Sequence, residues 1–154
     1  GATMIKTFRG LIADGAQDTI VLHTNDGSTG YRITKLSAFP NLPGTSDYES
    51  TIQIWKTAQT GISTSTATVD FANNELLAAI YVAGSSSYLY TDTPQFVIFD
   101  NEIFNQDIYI THTNTEGATA VNYYVELEQM KLDLNENTVA TLKDIRNIKR
   151  TATG

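Results

Sequence analysis

Between Val121 and Glu128 the residues Val121, Tyr123, Val125 and Leu127 alternate with Asn122, Tyr124, Glu126 and Glu128. A period of two belongs to a strand, whose successive side chains point to opposite faces, and not to a helix. This strand ends the clearest stretch of the chain. Phe96-Val97-Ile98-Phe99 leads into Asp107-Ile108-Tyr109-Ile110-Thr111-His112, then a turn at Glu116-Gly117, then Val121–Glu128. Period-two segments recur upstream, separated by turn residues at sandwich-like intervals. They predict strands at Met4–Arg9, Asp18–Thr24, Tyr31–Phe39, Thr51–Thr57, Thr66–Phe71, Leu76–Ala83, Gln95–Phe99, Ile108–Thr113 and Ala120–Leu132. The expected fold is all-β: a jelly-roll-like antiparallel β-sandwich of 8–9 strands closed by a short C-terminal helix. Residues 1–132 form the sandwich, and 133–154 form the helix and basic tail of the same single domain.

Asn25-Asp26-Gly27 and Glu116-Gly117 tolerate positive φ and read as hairpin turns, while Pro40-Asn41-Leu42-Pro43-Gly44 reads as a surface loop because proline donates nothing to a ladder. Asn73–Gly84 suits a strand, favoured by its β-rich flanks, or a short capped helix. In the final strand Val121, Tyr123, Val125 and Leu127 share one face, but Met130, Leu132 and Leu134 have the opposite parity. Burying all of them calls for a bulge or bend near Glu128-Gln129.

Beyond it, Asp133 or Asn135 can cap a helix with Glu136 in its first turn and Lys143, Arg146 and Lys149 toward its end, signs that match the helix dipole. Val139, Leu142, Ile145 and Ile148 recur every three residues, so their stripe drifts around the cylinder and suggests two contact surfaces. The expected interface is therefore Val139, Leu142, Ile145 and Ile148, with Lys143, Arg146, Lys149 and Arg150 facing an acidic neighbour. The alternative is that the helix plugs one end of its own sandwich.

Charge and composition narrow the partners. Residues 1–142 hold 6 basic and 16 acidic side chains, whereas 143–154 hold four basic ones against Asp144, so the body should repel nucleic acid. With no cysteine, neither a disulfide framework nor a thiolate metal site is available. No apolar run approaches the roughly 20 residues that span a bilayer, so no membrane partner is expected.

Chemistry-bearing patterns are sparse. His23 and His112 stand apart with no second histidine at ligand spacing, and read as strand-end histidines that are partly exposed or hydrogen-bonded. Asp100, Glu102 and Asp107, with Asn101 and Asn105, could offer oxygen ligands to calcium, although their spacing is not that of an EF-hand and turn capping explains them more simply. Glu126 and Glu128 share one strand face, where paired carboxylates could serve glycoside hydrolysis or simply be solvated. Gly84-Ser85-Ser86-Ser87 is a loop tip and not a nucleophile elbow, and no phosphate-cradling glycine motif occurs. No catalytic residue, cofactor or metal is expected. Tyr31, Trp55, Tyr81, Tyr88, Tyr90, Tyr109, Tyr123 and Tyr124 could stack on sugars if exposed together, but their apolar neighbours favour packing.

The stretches Phe96–His112 and Val121–Glu128, closed by Thr141-Leu142-Lys143-Asp144-Ile145-Arg146, resemble small virion proteins of short-tailed marine bacteriophages over about the last third of the chain. The resemblance implies a β-sandwich structural protein in or on a capsid, such as a decoration or head-stabilising subunit, assembled in the host bacterial cytoplasm. Its partners would be itself, as a homo-oligomer with a trimer among the candidates, and other virion proteins. The competing expectation is a carbohydrate- or receptor-binding β-sandwich.

Overall fold

The computed structural model describes residues 4–85 and 95–132. Its eight strands are β1 (Met4–Ile12), β2 (Gln17–Ile20), β3 (Thr29–Pro40), β4 (Tyr48–Trp55), β5 (Leu76–Gly84), β6 (Gln95–Phe99), β7 (Ile108–Asn114) and β8 (Val121–Lys131). They form a three-stranded sheet in the order β1-β8-β3 and a five-stranded sheet in the order β2-β7-β4-β5-β6, with every pairing antiparallel. The described residues contain no helix. The expected C-terminal helix lies outside them.

Alternation decides which face each strand buries. Ile12, Ile33, Leu36, Val121, Val125 and Leu127 from the smaller sheet meet Ile52, Ile54, Ile80, Ile108 and Ile110 from the larger in one sealed core. Each fully buried aliphatic side chain stabilises the fold by about 1.5–3 kcal/mol relative to exposure. Tyr123 also points inward, and its hydroxyl donates to Asp18 on β2 at 3.1 Å, tying the two sheets together at the open side of the sandwich. Gly10 makes room for this ring, since a Cβ there would stand 2.8 Å from the Tyr123 hydroxyl.

The opposite side is closed by residues 95–104, which run from one sheet to the free edge of the other. Gln95 Nε2 donates to the Ala38 carbonyl at 3.2 Å, and Tyr31 and Phe104 exchange both backbone hydrogen bonds at 2.8 and 2.9 Å. Edge groups of β3 that would otherwise be open to another strand are thereby partly satisfied.

Several sequence expectations need correction. Thr66–Phe71 is a loop, despite its threonines and valine, and the second strand stops at Ile20 instead of continuing to Thr24. The turn at Asn25-Asp26-Gly27 forms, with Gly27 at φ +67° and the Asp26 carboxylate accepting from Ser28, but it joins no hairpin. β2 pairs with β7 and β3 with β8, so the turn carries the chain from one sheet to the other, as Glu116-Gly117 does between β7 and β8. No bulge occurs near Glu128-Gln129, since β8 pairs with β1 in unbroken register from Val121 to Gln129. The extra residue is Thr34, on the partner strand β3, where its hydroxyl donates to the Glu126 carbonyl at 3.2 Å. Met130 settles half-buried at the end of the sheet and does not need to enter the core. Asn73–Gly84 yields the strand β5; residues 41–44 form an exposed loop, but Pro40, expected in that loop, is the last residue of the edge strand β3, opposite Val121.

The connection from β4 to β5 drapes over the outer face of the larger sheet. Gln53 Nε2 donates to Thr68 O, the Thr113 hydroxyl to Ser63 O at 2.7 Å, and Gln17 and Gln59 exchange hydrogen bonds. Under this cover Trp55 Nε1 donates to the Thr111 hydroxyl at 2.9 Å. Thr51, Gln53, Thr111 and Thr113 are consequently buried, although their polarity suggests a solvated face. The cover leaves the outer faces of β5 and β6 uncovered at Phe96 and Ile98.

Candidate functional site

The outer face of the three-stranded sheet carries two cross-strand rows. Arg9 of β1, Tyr124 of β8 and Ser37 of β3 lie side by side, and one step along so do Leu11, Asn122 and Phe39. Together with Gly10, Ala38 and Tyr123 they line an open groove of about 610 Å³. Phe39 is 63% exposed on one side and Leu11 and Arg9 are exposed on the other. Along the same face, the Lys35 ammonium stands 5.8 Å from the centre of the Tyr124 ring, and the Tyr124 hydroxyl donates to Glu126 at 3.2 Å. Arg32 pairs with Glu128. The two glutamates sharing a face are thus each held by a neighbouring side chain.

A second exposed apolar area lies on the opposite outer face, at β6. Phe96 pairs with Tyr81 and Ile98 with Ala79 on the side away from Val97, which packs against the core. Phe96 is 64% and Phe71 62% exposed. A hollow of about 170 Å³ lined by Phe71, Leu76, Leu77, Ala78, Ile98, Phe99 and Asp100 marks its floor. Asp100 is one of its lining residues, and the exposed Asp70 and half-buried Glu75 directly precede Phe71 and Leu76.

Charge is divided between these faces. On the outer face of the smaller sheet Arg9, Arg32 and Lys35 stand with Glu126 and Glu128, giving +1, whereas Lys6 and Lys131 share the core-side parity of Leu127. Outside β1, β3 and β8 the described residues hold Lys56 against eleven carboxylates, giving −10. Lys56 is itself committed, at 2.7 Å from Glu102 with only 8% of its side chain exposed. Among the described residues Arg9 and Lys35 form no ion pair.

The other sequence candidates resolve into structural roles. The Asp107 carboxylate accepts from the backbone amides of Leu22 and His23 and lies 2.7 Å from His23 Nδ1. Burial raises its pKa, but the hydrogen bonds from His23 and Leu22 outweigh it and hold the carboxyl below its ordinary range. Glu102 turns to Lys56, and Asn105 is buried with its amide donating to Gly27 O, so the acids of the 100–107 loop diverge. Among the described residues no group of three or more histidines and carboxylates could hold a metal ion.

His112 is hydrogen-bonded, one of the two expected forms, and it is not partly exposed. It is 0% exposed, its Nδ1 3.1 Å from Ile12 O and its Nε2 3.0 Å from the hydroxyl of Ser50, which is 1% exposed. A carbonyl can only accept, so Nδ1 carries the proton and Nε2 accepts from Ser50. Burial pushes the imidazole pKa below 6.5, against smaller opposing effects of Ala13, Asp14 and Ile12. The serine–histidine pair resembles a nucleophile and its base but is sealed in the core, where it links β4 and β7 to β1.

Of the aromatic candidates, Tyr31, Trp55 and Tyr123 are buried, Tyr81, Tyr109 and Tyr124 are half-buried, and Tyr88 and Tyr90 lie outside the described residues. The expected interface of Val139, Leu142, Lys143, Ile145, Arg146, Ile148, Lys149 and Arg150 also lies outside them. Sequence reasoning missed Arg9, Leu11, Phe39 and the patch at Phe71, Phe96 and Ile98. The cations in the first and third strands were a usable signal, but only the topology sets those strands on either side of β8.

No protein-family model matches the chain, and no curated protein matches it.

Proposed function

We propose that this chain is a non-enzymatic structural subunit that acts by self-assembly, as a capsid decoration or other head-associated part of a phage particle. The observation that carries the reading is a filled core combined with large apolar side chains left outside it: Leu11 and Phe39 on one outer face, Phe71, Phe96 and Ile98 on the other. Contiguous exposed apolar surface rimmed by charge is typical of protein–protein contacts. The strand order adds support. Orders 1-8-3 and 2-7-4-5 follow the jelly-roll path, with β6 paired to β5 instead of flanking β3, and jelly rolls recur in viral capsids and in lectins. The resemblance of the last third to phage virion proteins points the same way. Light scattering on the full chain and on a chain ending at Asn135 tests the reading. Assemblies larger than a monomer support it, and loss of them on truncation would assign the contact to the tail. A full chain that remains monomeric at every concentration contradicts self-assembly.

The groove favours a second reading, a carbohydrate- or receptor-binding module. It sets the Phe39 and Tyr124 rings beside the Asn122 amide and the Arg9 guanidinium, and its volume falls in the range of about 300–1,000 Å³ usual for small ligands. A glycan array tests it. Binding abolished by Tyr124→Ala would favour this module, and an empty array would remove it.

A further inference from the structure

Self-assembly leaves open which surface meets which, and the sign of the charge decides between the arrangements. We infer that copies join head to tail: the cationic face of β1, β8 and β3, with Arg9 and Lys35 around Leu11 and Phe39, seats on the acid-rimmed apolar patch at Phe71, Phe96 and Ile98 of the next copy. This rests on the self-assembly reading and specifies its contact. Pairing the cationic face with itself would set Arg9 and Lys35 against their own copies, and pairing the patch with itself would set Asp70, Glu75 and Asp100 against theirs. Like charges brought face to face oppose association, whereas the heterologous arrangement puts ammonium and guanidinium groups against carboxylates around two apolar centres. Arg9 and Lys35 form no ion pair within the described residues, so their charges are available to a neighbour.

Geometry gives this contact a further property. The two surfaces lie on opposite outer faces, as the register shows: Arg9, Leu11 and Phe39 point away from the core on the smaller sheet, and Phe96 and Ile98 do so on the larger. Each copy therefore offers one surface of each kind. A contact between non-equivalent surfaces does not close on two copies. It continues into a ring or an open row, which suits a part that repeats around a particle.

Two charge-reversed variants of the full chain test the proposal by sedimentation velocity: Arg9→Glu/Lys35→Glu on the cationic face and Asp70→Lys/Asp100→Lys at the patch. Each alone should associate at least about tenfold more weakly than the parent, because both of its surfaces then carry the same sign. An equimolar mixture should recover assembly, since each reversed surface finds its reversed complement. The quadruple variant, with both surfaces reversed, should assemble by itself and controls for misfolding in either double variant. A parent that never assembles overturns the self-assembly reading. A parent that assembles while either double variant still assembles normally, or while mixing restores nothing, overturns the head-to-tail contact alone. Normal assembly by the patch variant would also be the result if residues 133–154 or a different protein, and not a second copy, occupied the patch.

Discussion

Replacing His112 with leucine removes a buried polar link between the sheets while keeping a similar volume. In the parent, the ring joins β7 to the Ile12 carbonyl on β1 and to the Ser50 hydroxyl on β4, with no solvent in reach. Leucine leaves both partners buried without this bond, and each such loss costs about 1–3 kcal/mol. The expected destabilisation is about 2–4 kcal/mol, which for a chain of this length lowers the melting temperature by roughly 5–15 °C. Urea unfolding should show a lower midpoint at an unchanged slope. The double variant His112→Leu/Ser50→Ala also removes the stranded hydroxyl, so its cost should fall short of the sum of the single variants by about 1 kcal/mol. The same histidine sets a pH dependence. Its folded pKa lies below the unfolded value of 6.5, so between these two values the unfolded chain binds more protons. Stability from this group is complete above pH 6.5 and declines as pH falls through the folded pKa. The leucine variant should lack that decline. Equal stability of parent and variant, within about 0.5 kcal/mol, with the same slope below neutrality, would refute the role given to the ring.

Lys56→Met should cost about 3 kcal/mol by removing the ammonium from the Glu102 carboxylate, and Lys56→Met/Glu102→Met should recover part of it, as measured by urea denaturation. Tyr81 and Tyr123 have their pKa pushed up to about 12, chiefly by burial and then by Glu49 and Asp18, so ultraviolet titration should show them ionising after the ordinary tyrosines. Stability from these two groups is complete below pH 10 and is lost as pH rises through about 12. Gly10→Ala should bring the Tyr123 transition back toward 10, because the added Cβ displaces the hydroxyl from Asp18. Acid unfolding adds a separate effect: Asp107→Asn should remove stability present above pH 3.8 and lost in the parent as pH falls through the lowered pKa.

Strand identity was legible where alternation was long. Ile108–Thr113 and Val121–Leu127 announce themselves because one side chain in two enters a core. Thr66–Phe71 carries similar β-forming residues yet is a loop, because propensity describes a residue's fit to a sheet and says nothing of whether a neighbouring strand is available. The turns at Gly27 and Gly117 were visible as reversals, but a turn residue does not tell whether the chain returns beside its own strand or crosses to another sheet. Thr34 took the irregularity assigned to Glu128-Gln129 for a related reason: parity reveals that two registers must be reconciled, and either partner strand can supply the extra residue. The two candidate surfaces were the least legible. Arg9, Leu11, Phe39 and Phe96 are dispersed in sequence and gain meaning only when β1 and β3 flank β8 and the 56–75 connection stops short of β6.

Assembly through the outer faces is the claim on which the account turns, and sedimentation equilibrium of the full chain across a wide range of concentrations tests it directly. The account predicts a weight-average mass that climbs from 16.9 kDa past that of a dimer and falls back when salt screens the charged faces. A mass that stays at 16.9 kDa throughout would contradict it.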